Sequence, residues 1–494
     1  MTGNDGAKPN VLLIVMDGVR ARNTSLLGHE NETTPTLETF ADEAITYTQA
    51  RSPGVWSLPS HASIFTGLEV VEHGVTDLGD GLQPGTTIWE DLEAEHDYST
   101  GVFSENTWLV NKDVGMKDAF QTVVGKQASP YPEANDPNRP YHLFASRQGR
   151  DYSLGLVRDS LDAEKPFKAF VNGLTTYLAW THPGLLPDDW EMADTPGAFY
   201  TDQILSWIDD QSGPWAGCIN YLDSHFPYEP PSEHDLWGGQ TIRSLQTDMD
   251  DQVWEFNGGN RPWWQREALA SLYDGGIHYM DAEINRLLET LRDRDELENT
   301  LVVITADHGE GFGEPSRVRP DMRIPAHLSG LHEILLHVPL MVKYPDMEGE
   351  DGTVVDDLAA ISAFPEVVSE TVDGTIEPET GFVADDTVVA SSHGLEKPME
   401  KRAGNHLSDT WRFNGDAFAV YEKAEKGVRK KMCWRDSYST AVTIPNAQEA
   451  YVSGDGGETV EEVFTAFTDR DIATEGSQTV SEEAKKDLEA LGYM

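Results

Sequence analysis

The hydrophobic pattern of this chain contains two apolar runs that each stop at an aspartate close to a glycine. One run covers residues 10–16 and leads into Asp17-Gly18; the other covers residues 301–304 and leads into Asp307-His308-Gly309. Consecutive apolar residues rich in β-branched side chains are typical of strands buried in a parallel sheet. Because ligands bind where such strands end, the pattern predicts strands that deliver polar side chains to a binding edge.

Elsewhere, strand-like and helical patterns alternate, as a doubly wound α/β sheet requires. Residues 8–125 contain short apolar strands and a helical pattern over 36–50, and residues 266–294 again have helical spacing. Further predicted elements are strands at 168–174, 215–222, 387–391, 411–413 and 418–421 and a helix at 481–493. The pattern therefore predicts a large α/β part and, after about residue 375, a smaller part rich in short strands.

The polar residues at these strand ends are suited to a divalent cation. A carboxylate oxygen of Asp307 and an imidazole nitrogen of His308, held together by a glycine turn, are common metal ligands. The alternative is a simple turn in which the aspartate caps a helix. A third segment, residues 56–67, places Ser57 just before a proline that favours the first turn of a helix. A helix N-terminus favours an anionic substrate, although an ordinary capping serine is the simpler explanation.

Taken in order, these segments resemble the sulfatase branch of the alkaline phosphatase superfamily, and arylsulfatase A-like proteins in particular. That family has a strand ending in Asp, then Cys/Ser-x-Pro-Ser-Arg-x-x-x-x-Thr-Gly, then Asp-His-Gly-Glu. The other segments that carry the resemblance are Thr34 to Leu37, Tyr221 to Pro230, Tyr273-Asp274 through Asp281, Leu331 to Lys343 and Leu488 to Met494. The resemblance covers most of residues 8–345.

The resemblance implies an alkaline phosphatase-like fold, with a doubly wound mixed sheet flanked by helices and a small C-terminal α+β subdomain. We expect a catalytic domain over residues 1–375 and a subdomain with a small antiparallel sheet and terminal helix over 376–494. The implied activity is metal-dependent hydrolysis of sulfate esters. In the family pattern, the metal ligands correspond to Asp17, Ser57, Asp307 and His308. The catalytic side chains correspond to Ser57, His61, His225 and His327, of which the last two contact the ester oxygens or protonate the leaving group.

Three departures from the family pattern keep other activities open. Most sulfatases have a cysteine that is oxidised to formylglycine where this chain has Ser57, and an arginine where it has His61. The tandem Asp-Asp of calcium sulfatases is Asp17-Gly18 here. An unmodified Ser57 would suit a phosphomonoester or phosphodiester hydrolase or a phosphotransferase, and His61 is compatible with a degenerate protein that only binds its ligand. A site rich in oxygen ligands favours Ca²⁺, with Mg²⁺, Mn²⁺ and Zn²⁺ open.

A second ion is a separate possibility that depends on a different set of side chains. It would require Asp223, His225 and His327 to converge. Of the remaining residues near the motifs, Glu310 is predicted to orient the metal-bearing turn without binding the ion. Arg20 could lie behind the site or on the surface.

Composition bounds the setting of this chemistry. The 494 residues include 36 Lys and Arg against 86 Asp and Glu, a net charge of −50. Dispersed acidity of this size is typical of proteins that work in molar salt and suggests a haloarchaeal origin. It disfavours nucleic acid and anionic membranes as partners, and leaves a small-molecule or carbohydrate sulfate or phosphate ester as the expected one. Two cysteines, no secretory signal and no membrane span predict reduced thiols and a cytoplasmic location. The oligomeric state stays open.

Overall fold

A computed structural model of the chain describes residues 8–125, 196–249, 251–347, 352–435 and 437–474. Its strands are β1 (Asn10–Met16), β2 (Ile45–Arg51), β3 (Gly81–Leu82), β4 (Ser99–Ser104), β5 (Thr122–Val124), β6 (Trp215–Tyr221), β7 (Thr300–Thr305), β8 (Leu340–Lys343), β9 (Thr353–Ala360), β10 (Thr387–His393), β11 (Asp416–Lys423), β12 (Val428–Trp434), β13 (Ser439–Asn446), β14 (Glu449–Gly454) and β15 (Ala473–Thr474). The predictions of strands at 215–222, 387–391 and 418–421 are confirmed by β6, β10 and β11.

The helices lie between these strands along the chain. They are α1 (Pro35–Phe40), α2 (Ser57–Thr66), α3 (Val70–His73), α4 (Ile88–His96), α5 (Thr107–Val110), α6 (Pro196–Asp209), α7 (Gln240–Thr247), α8 (Gln252–Asn257), α9 (Trp263–Asp293), α10 (Glu333–Leu336), α11 (Phe364–Asp373), α12 (Lys397–Ala403) and α13 (Gly457–Phe464). The helical spacing over 266–294 is confirmed by α9, the long helix that leads to β7.

The central sheet has the order β5-β4-β6-β1-β7-β8-β2-β9 among the described strands. β1 lies in the middle and pairs in parallel with β6 and β7, with Leu13 opposite Cys218 and Val303. β8 is antiparallel to both of its neighbours, which makes the sheet mixed. Every residue of β1, β6 and β7 is buried, because strands at the centre of the sheet are covered on both faces. β4 also pairs in parallel with β6. Because these four strands run in the same direction, the carboxyl ends of β4, β6, β1 and β7 meet at one edge of the sheet.

The C-terminal part forms a second, antiparallel sheet in the order β10-β11-β12-β13-β14, and α13 packs on β11 and β12. The α/β fold with this separate sheet confirms the predicted fold class. A buried ion network joins the sheet to the segment after β7. Glu333 at the start of α10 pairs with Lys430 of β12 at 2.9 Å and with Arg51 of β2 at 3.2 Å. The domain boundary at residue 375, between α11 and β10, stays a prediction.

Two local predictions were wrong. The helical pattern over 36–50 is helix only in α1, and Ile45–Arg51 forms β2 between β8 and β9. The β-branched side chains there suit a strand, and pairing on both sides outweighs the apparent helical spacing. The strand predicted at 411–413 is one turn of 3₁₀ helix. The predicted strand at 168–174 and helix at 481–493 lie outside the described residues. Cys218 and Cys433 are free cysteines, as predicted.

Candidate active site

Two buried aspartates face each other at the carboxyl edge of the central sheet. Asp17 directly follows β1 and Asp307 lies two residues beyond β7, so parallel pairing of these neighbouring strands brings the side chains together. Asp17, Asp307 and His308 offer ligand atoms that all lie within 4.8 Å of one another, and all three are buried. Within the described ranges, this is the one group of three or more such residues with that spacing.

Side-chain amides from two other strands hold Asp17. Its Oδ2 accepts hydrogen bonds from Asn106 Nδ2 at 2.7 Å and from Asn220 Nδ2 at 3.1 Å. Its Oδ1 is also buried but accepts no hydrogen bond. A buried carboxylate oxygen without a donor is costly, so it needs a positive partner. Burial and the nearby charge of Asp307 both raise the pKa of Asp17.

The turn after β7 fixes Asp307. Its Oδ1 accepts hydrogen bonds from the backbone N–H groups of Gly18 at 3.1 Å and His308 at 2.9 Å. Burial opposes ionisation of Asp307, but the neighbouring imidazoles of His308 and His61 outweigh it and lower its pKa. The two aspartates therefore have different environments, and Asp307 holds the negative charge more readily.

His308 points one ring nitrogen into the space between the aspartates. Its Nδ1 donates to the Gly309 carbonyl at 2.8 Å, so Nδ1 carries the proton and Nε2 presents its lone pair. Nε2 lies 3.4 Å from Asp307 Oδ2, 3.8 Å from Asp17 Oδ1 and 3.3 Å from Ser57 Oγ. An imidazole fixed by a backbone carbonyl in this way is typical of a metal-ligating histidine. Burial opposes protonation of His308, but both carboxylates raise its pKa.

Helix α2 places Ser57 beside His308 and His61 beside Asp307. Ser57 is the first residue of the helix and is fully buried. Four residues later, His61 places Nδ1 2.9 Å from the Ser57 carbonyl and 3.5 Å from Asp307 Oδ2. The predicted helix start at Ser57 is confirmed. His61 thus joins the start of α2 to Asp307.

Two further histidines lie on the other side of His308. The His327 ring centroid is 4.7 Å from that of His308 and 5.3 Å from that of His225. Nδ1 of His225 donates to the Phe226 carbonyl, and Nδ1 of His327 lies 3.0 Å from Glu310 Oε2. A cavity of about 20 Å³ lies beside these two histidines and is also lined by Glu310. Burial opposes ionisation of Glu310, but His327 lowers its pKa to about 2.

The structure thus brings all seven predicted site residues into one cluster: Asp17, Ser57, His61, His225, Asp307, His308 and His327. Glu310 contacts His327 and lies outside the aspartate pair. Arg20 is buried behind the site, where it donates to the Glu310 carbonyl and pairs with Glu314 at 2.9 Å. Asp223 accepts a hydrogen bond from Gly197 N–H at 3.3 Å, and it is absent from the candidate metal group found in the described residues.

Sequence reasoning missed the amides that hold Asp17. Asn220 lies near the carboxyl end of β6 and Asn106 two residues after β4. Both strands end at the edge where Asp17 lies. Their position at the ends of neighbouring parallel strands is the sequence signal that marks these amides.

Comparison with known proteins agrees with this geometry. The family model described as Sulfatase matches residues 9–369, which is most of the chain. The chain belongs to the sulfatase family. It is therefore a hydrolase that acts on sulfate esters, from a family that generally binds a divalent metal ion.

Two curated relatives illustrate the breadth of the family. An arylsulfatase of Clostridium perfringens is 23% identical over 378 residues, which is 71% of this chain and 72% of the relative. An N-acetylglucosamine-6-O-sulfatase of Bacteroides thetaiotaomicron is 21% identical over 451 residues, which is 81% of this chain and 76% of the relative.

Solved structures share the fold. A phosphonate monoester hydrolase of Agrobacterium radiobacter superposes with a TM-score of 0.58 at 16% identity, covering 98% of this chain and 94% of that one. A protein solved with its substrate D-glucosamine-2-N,6-O-disulfate gives a TM-score of 0.56 at 13% identity, covering 98% of both chains. No helix among the described residues is long and apolar enough to span a membrane.

Proposed function

We propose that this chain hydrolyses sulfate esters of small molecules or sugars with Ser57, or a formylglycine derived from it, as nucleophile. One divalent cation would be held by Asp17, Asp307, His308 and the oxygen at position 57. The observation that carries the proposal is Asp17 Oδ1, which is buried without a hydrogen-bond donor 3.8 Å from the His308 Nε2 lone pair. Two carboxylates, a hydroxyl and one imidazole form a donor set suited to Ca²⁺, with Mg²⁺, Mn²⁺ and Zn²⁺ as alternatives.

When bound, a cation of this kind would lower the pKa of the nucleophile and offset charge on the ester oxygens. The protein's own residues supply positioning. Ser57 is the first residue of α2, where the helix dipole favours an anionic ester group. The Ser57 oxygen would lose its hydroxyl proton and bond to sulfur while the bond from sulfur to the alcohol oxygen breaks, and the alcohol oxygen then needs a proton. Water would afterwards cleave the bond between Ser57 and sulfur, which releases sulfate and restores the hydroxyl.

His225 and His327 are placed to serve that leaving oxygen. Both line the small cavity that Glu310 also lines. Glu310 lies 3.0 Å from Nδ1 of His327, and its low pKa keeps it ionised, so it orients the ring and supports protonation. Burial and the nearby imidazoles nevertheless lower the pKa of His327. We therefore propose that these two histidines contact the ester oxygens and deliver the proton.

A second candidate is hydrolysis of phosphate or phosphonate esters by an unmodified Ser57. It is favoured by serine in place of cysteine and by His61 in place of arginine. The relative named as a phosphonate monoester hydrolase also shares the fold.

The proposal also includes the salt conditions, the origin and the cellular location of the protein. The ratio of 86 acidic to 36 basic residues supports a halophilic, haloarchaeal protein that works in the cytoplasm at high salt.

Mass spectrometry of the peptide containing Ser57, from protein made in its native host, separates the two candidates. Loss of two hydrogens at Ser57 would establish the aldehyde and support the sulfatase. An intact serine would favour direct attack by the hydroxyl and give priority to phosphate and phosphonate esters.

Removing the oxygen at position 57 tests the nucleophile itself. Ser57→Ala should lower kcat for the hydrolysed ester by at least about 10³-fold, because no neighbouring group replaces a nucleophile. Circular dichroism should show an unchanged fold. Ser60→Ala, one turn of helix away, is a matched control. Wild-type turnover by the Ser57 variant would contradict the assignment.

A further inference from the structure

A pocket next to the active site carries an unusual concentration of arginine for so acidic a chain. It has a volume of about 160 Å³ and is lined by Phe256, Gly259, Arg261, Trp263, Arg266, Gly313 and Arg323. Three of the 36 basic residues of the chain lie in this one lining, which contains no acidic residue. Because carboxylates outnumber cations more than twofold in the sequence, arginines gathered without them need an explanation.

The three arginines differ in how their charges are compensated. Arg261 is anchored, since it pairs with Glu255 and donates to the Asp248 carbonyl. Arg266 lies 3.3 Å from Glu267, whose own side chain is 73% exposed, so this pair is weak. Arg323 pairs with no carboxylate in the described part of the chain, and its hydrogen bond goes to the Gly313 carbonyl at 3.3 Å.

Trp263 holds the two weakly compensated arginines. The guanidinium carbon of Arg323 lies 4.2 Å from the Trp263 ring centroid, and that of Arg266 lies 4.8 Å from it. Stacking on an aromatic ring fixes the guanidinium plane while leaving its N–H groups available. Burial and the like charge of Arg266 lower the pKa of Arg323. The Trp263 side chain is itself 45% exposed.

The pocket and the reaction centre share two structural elements. Helix α8 contributes Gln252 and Val253 to the small cavity beside His327, and Phe256 to the arginine pocket. These positions are about one helical turn apart, a rise of roughly 5 Å. The loop after β7 supplies Glu310 to the first site and Gly313 to the second. The two cavities are therefore neighbours along α8 and along the loop after β7.

We infer that this pocket, formed by Arg266, Arg323 and Trp263, binds a second oxyanion, a sulfate or carboxylate group, of the same substrate. A planar guanidinium matches the paired oxygens of such groups and binds them through charge-assisted hydrogen bonds. The inference rests on the proposed function and narrows it: the preferred substrate is a sulfate ester that carries at least one further anionic group. A free inorganic anion is the other possible source of the same chemistry.

The kinetic test compares two substrates that differ by one anionic group. Disaccharides carrying one or two sulfates are assayed with wild type and with the double variant Arg266→Gln, Arg323→Gln. We expect kcat/KM of the double variant for the disulfated disaccharide to fall at least tenfold, while its value for the monosulfated one changes less than twofold. Arg294→Gln, which removes a cation paired with Asp209 at 2.8 Å on another face, should change neither. Equal losses on both substrates, or no loss on either, would overturn the inference.

A binding test keeps the inference separate from the proposed function. Ser57→Ala protein, with and without the arginine changes, is titrated calorimetrically with both disaccharides and with inorganic sulfate. We expect tighter binding of the disulfated disaccharide, and loss of that preference in the arginine variants. If wild type cleaves neither disaccharide but this preference is found, the proposed function fails and the inference stands. If inorganic sulfate binds and the two disaccharides bind with equal affinity, the pocket is a site for free anions and the inference is overturned. If the double variant is unstable, the single variant Arg323→Gln replaces it in both tests.

Discussion

Two clusters of buried charge in this molecule are built in opposite ways. Around Glu333, one carboxylate is paired with Lys430 at 2.9 Å and Arg51 at 3.2 Å, and both cations are completely buried. At the edge of the central sheet, Asp17 and Asp307 lie beside imidazoles and amides, with no lysine or arginine forming an ion pair with either in the described residues. In the first cluster, side chains of the protein itself balance the charge of the carboxylate. The second is short of positive charge, as expected for a site that takes a cation from solution.

The pKa shifts express the same difference. Burial opposes ionisation of Glu333, but Lys430 and Arg51 outweigh it and lower its pKa to about 2. At Asp17, burial and Asp307 act together and raise the pKa. Ionised Glu333 therefore stabilises the folded state, whereas ionised Asp17 destabilises it until a cation is bound.

Breaking the complete cluster should have the largest effect. Glu333→Gln leaves two buried cations without a carboxylate and should lower the free energy of unfolding by about 3 kcal/mol or more. Because the pKa of Glu333 is lowered, its contribution is present above the unfolded value of 4.5 and is lost as the pH falls towards 2. Urea unfolding at pH 7 and across that acid range measures both effects.

A matched control uses an exposed acid. Asp113 pairs with Lys117 at 3.4 Å, and the Asp113 side chain is 74% exposed, so Asp113→Asn should cost less than about 1 kcal/mol. If the two variants lose equal stability, Glu333 is not the centre of a buried network. An acid dependence unchanged in Glu333→Gln would lead to the same conclusion.

Removing charge from the incomplete cluster should weaken metal binding more than folding. Asp307→Asn takes one carboxylate from the proposed ligand set and should raise the dissociation constant for Ca²⁺ about 100-fold, measured calorimetrically on protein freed of metal. Asp209→Asn, at an exposed ion pair with Arg294, is the control. Unchanged affinity in Asp307→Asn would remove this residue from the ligand set.

A smaller effect is expected at His61, which joins the helix start to the acidic pair. His61→Phe preserves the ring shape but loses the contact of Nδ1 with the Ser57 carbonyl at 2.9 Å, and should lower kcat about tenfold. His61→Asn, whose amide can reach the same carbonyl, should recover most of the loss. Calcium affinity should change less than threefold in both. Equal losses in both variants would show that this hydrogen bond is not what His61 contributes.

The pair of aspartates and His308 could be predicted from the sequence because they follow apolar strands, whereas His61, His225 and His327 were expected only from the resemblance to sulfatases. Asp17 and Asp307 are separated by 290 positions, yet Asp17 directly follows one apolar run and Asp307 lies two residues beyond β7, and parallel strand ends meet at one edge. The helix start at Ser57 was likewise signalled by the proline two positions later.

What could not be predicted depends on contacts between distant parts of the chain. Ile45–Arg51 is a strand because β8 and β9 pair with it, and no local pattern reveals its partners. The amides of Asn106 and Asn220 have no motif of their own and gain their role only beside Asp17. The arginine pocket combines Arg266 of α9 with Arg323 of a loop, 57 positions apart, through stacking on one tryptophan.

The most direct test of the central claim is the melting temperature of Asp17→Asn and wild type, each with a chelator and with saturating Ca²⁺. In the chelator, the variant should melt a few degrees higher, because asparagine removes the buried like charge and its amide can donate to Asp307. With Ca²⁺, wild type should melt higher, because only its complete site gains binding energy. This reversal of order is the predicted result. A variant that melts lower under both conditions, with the same calcium-induced shift as wild type, would contradict a cation site at Asp17.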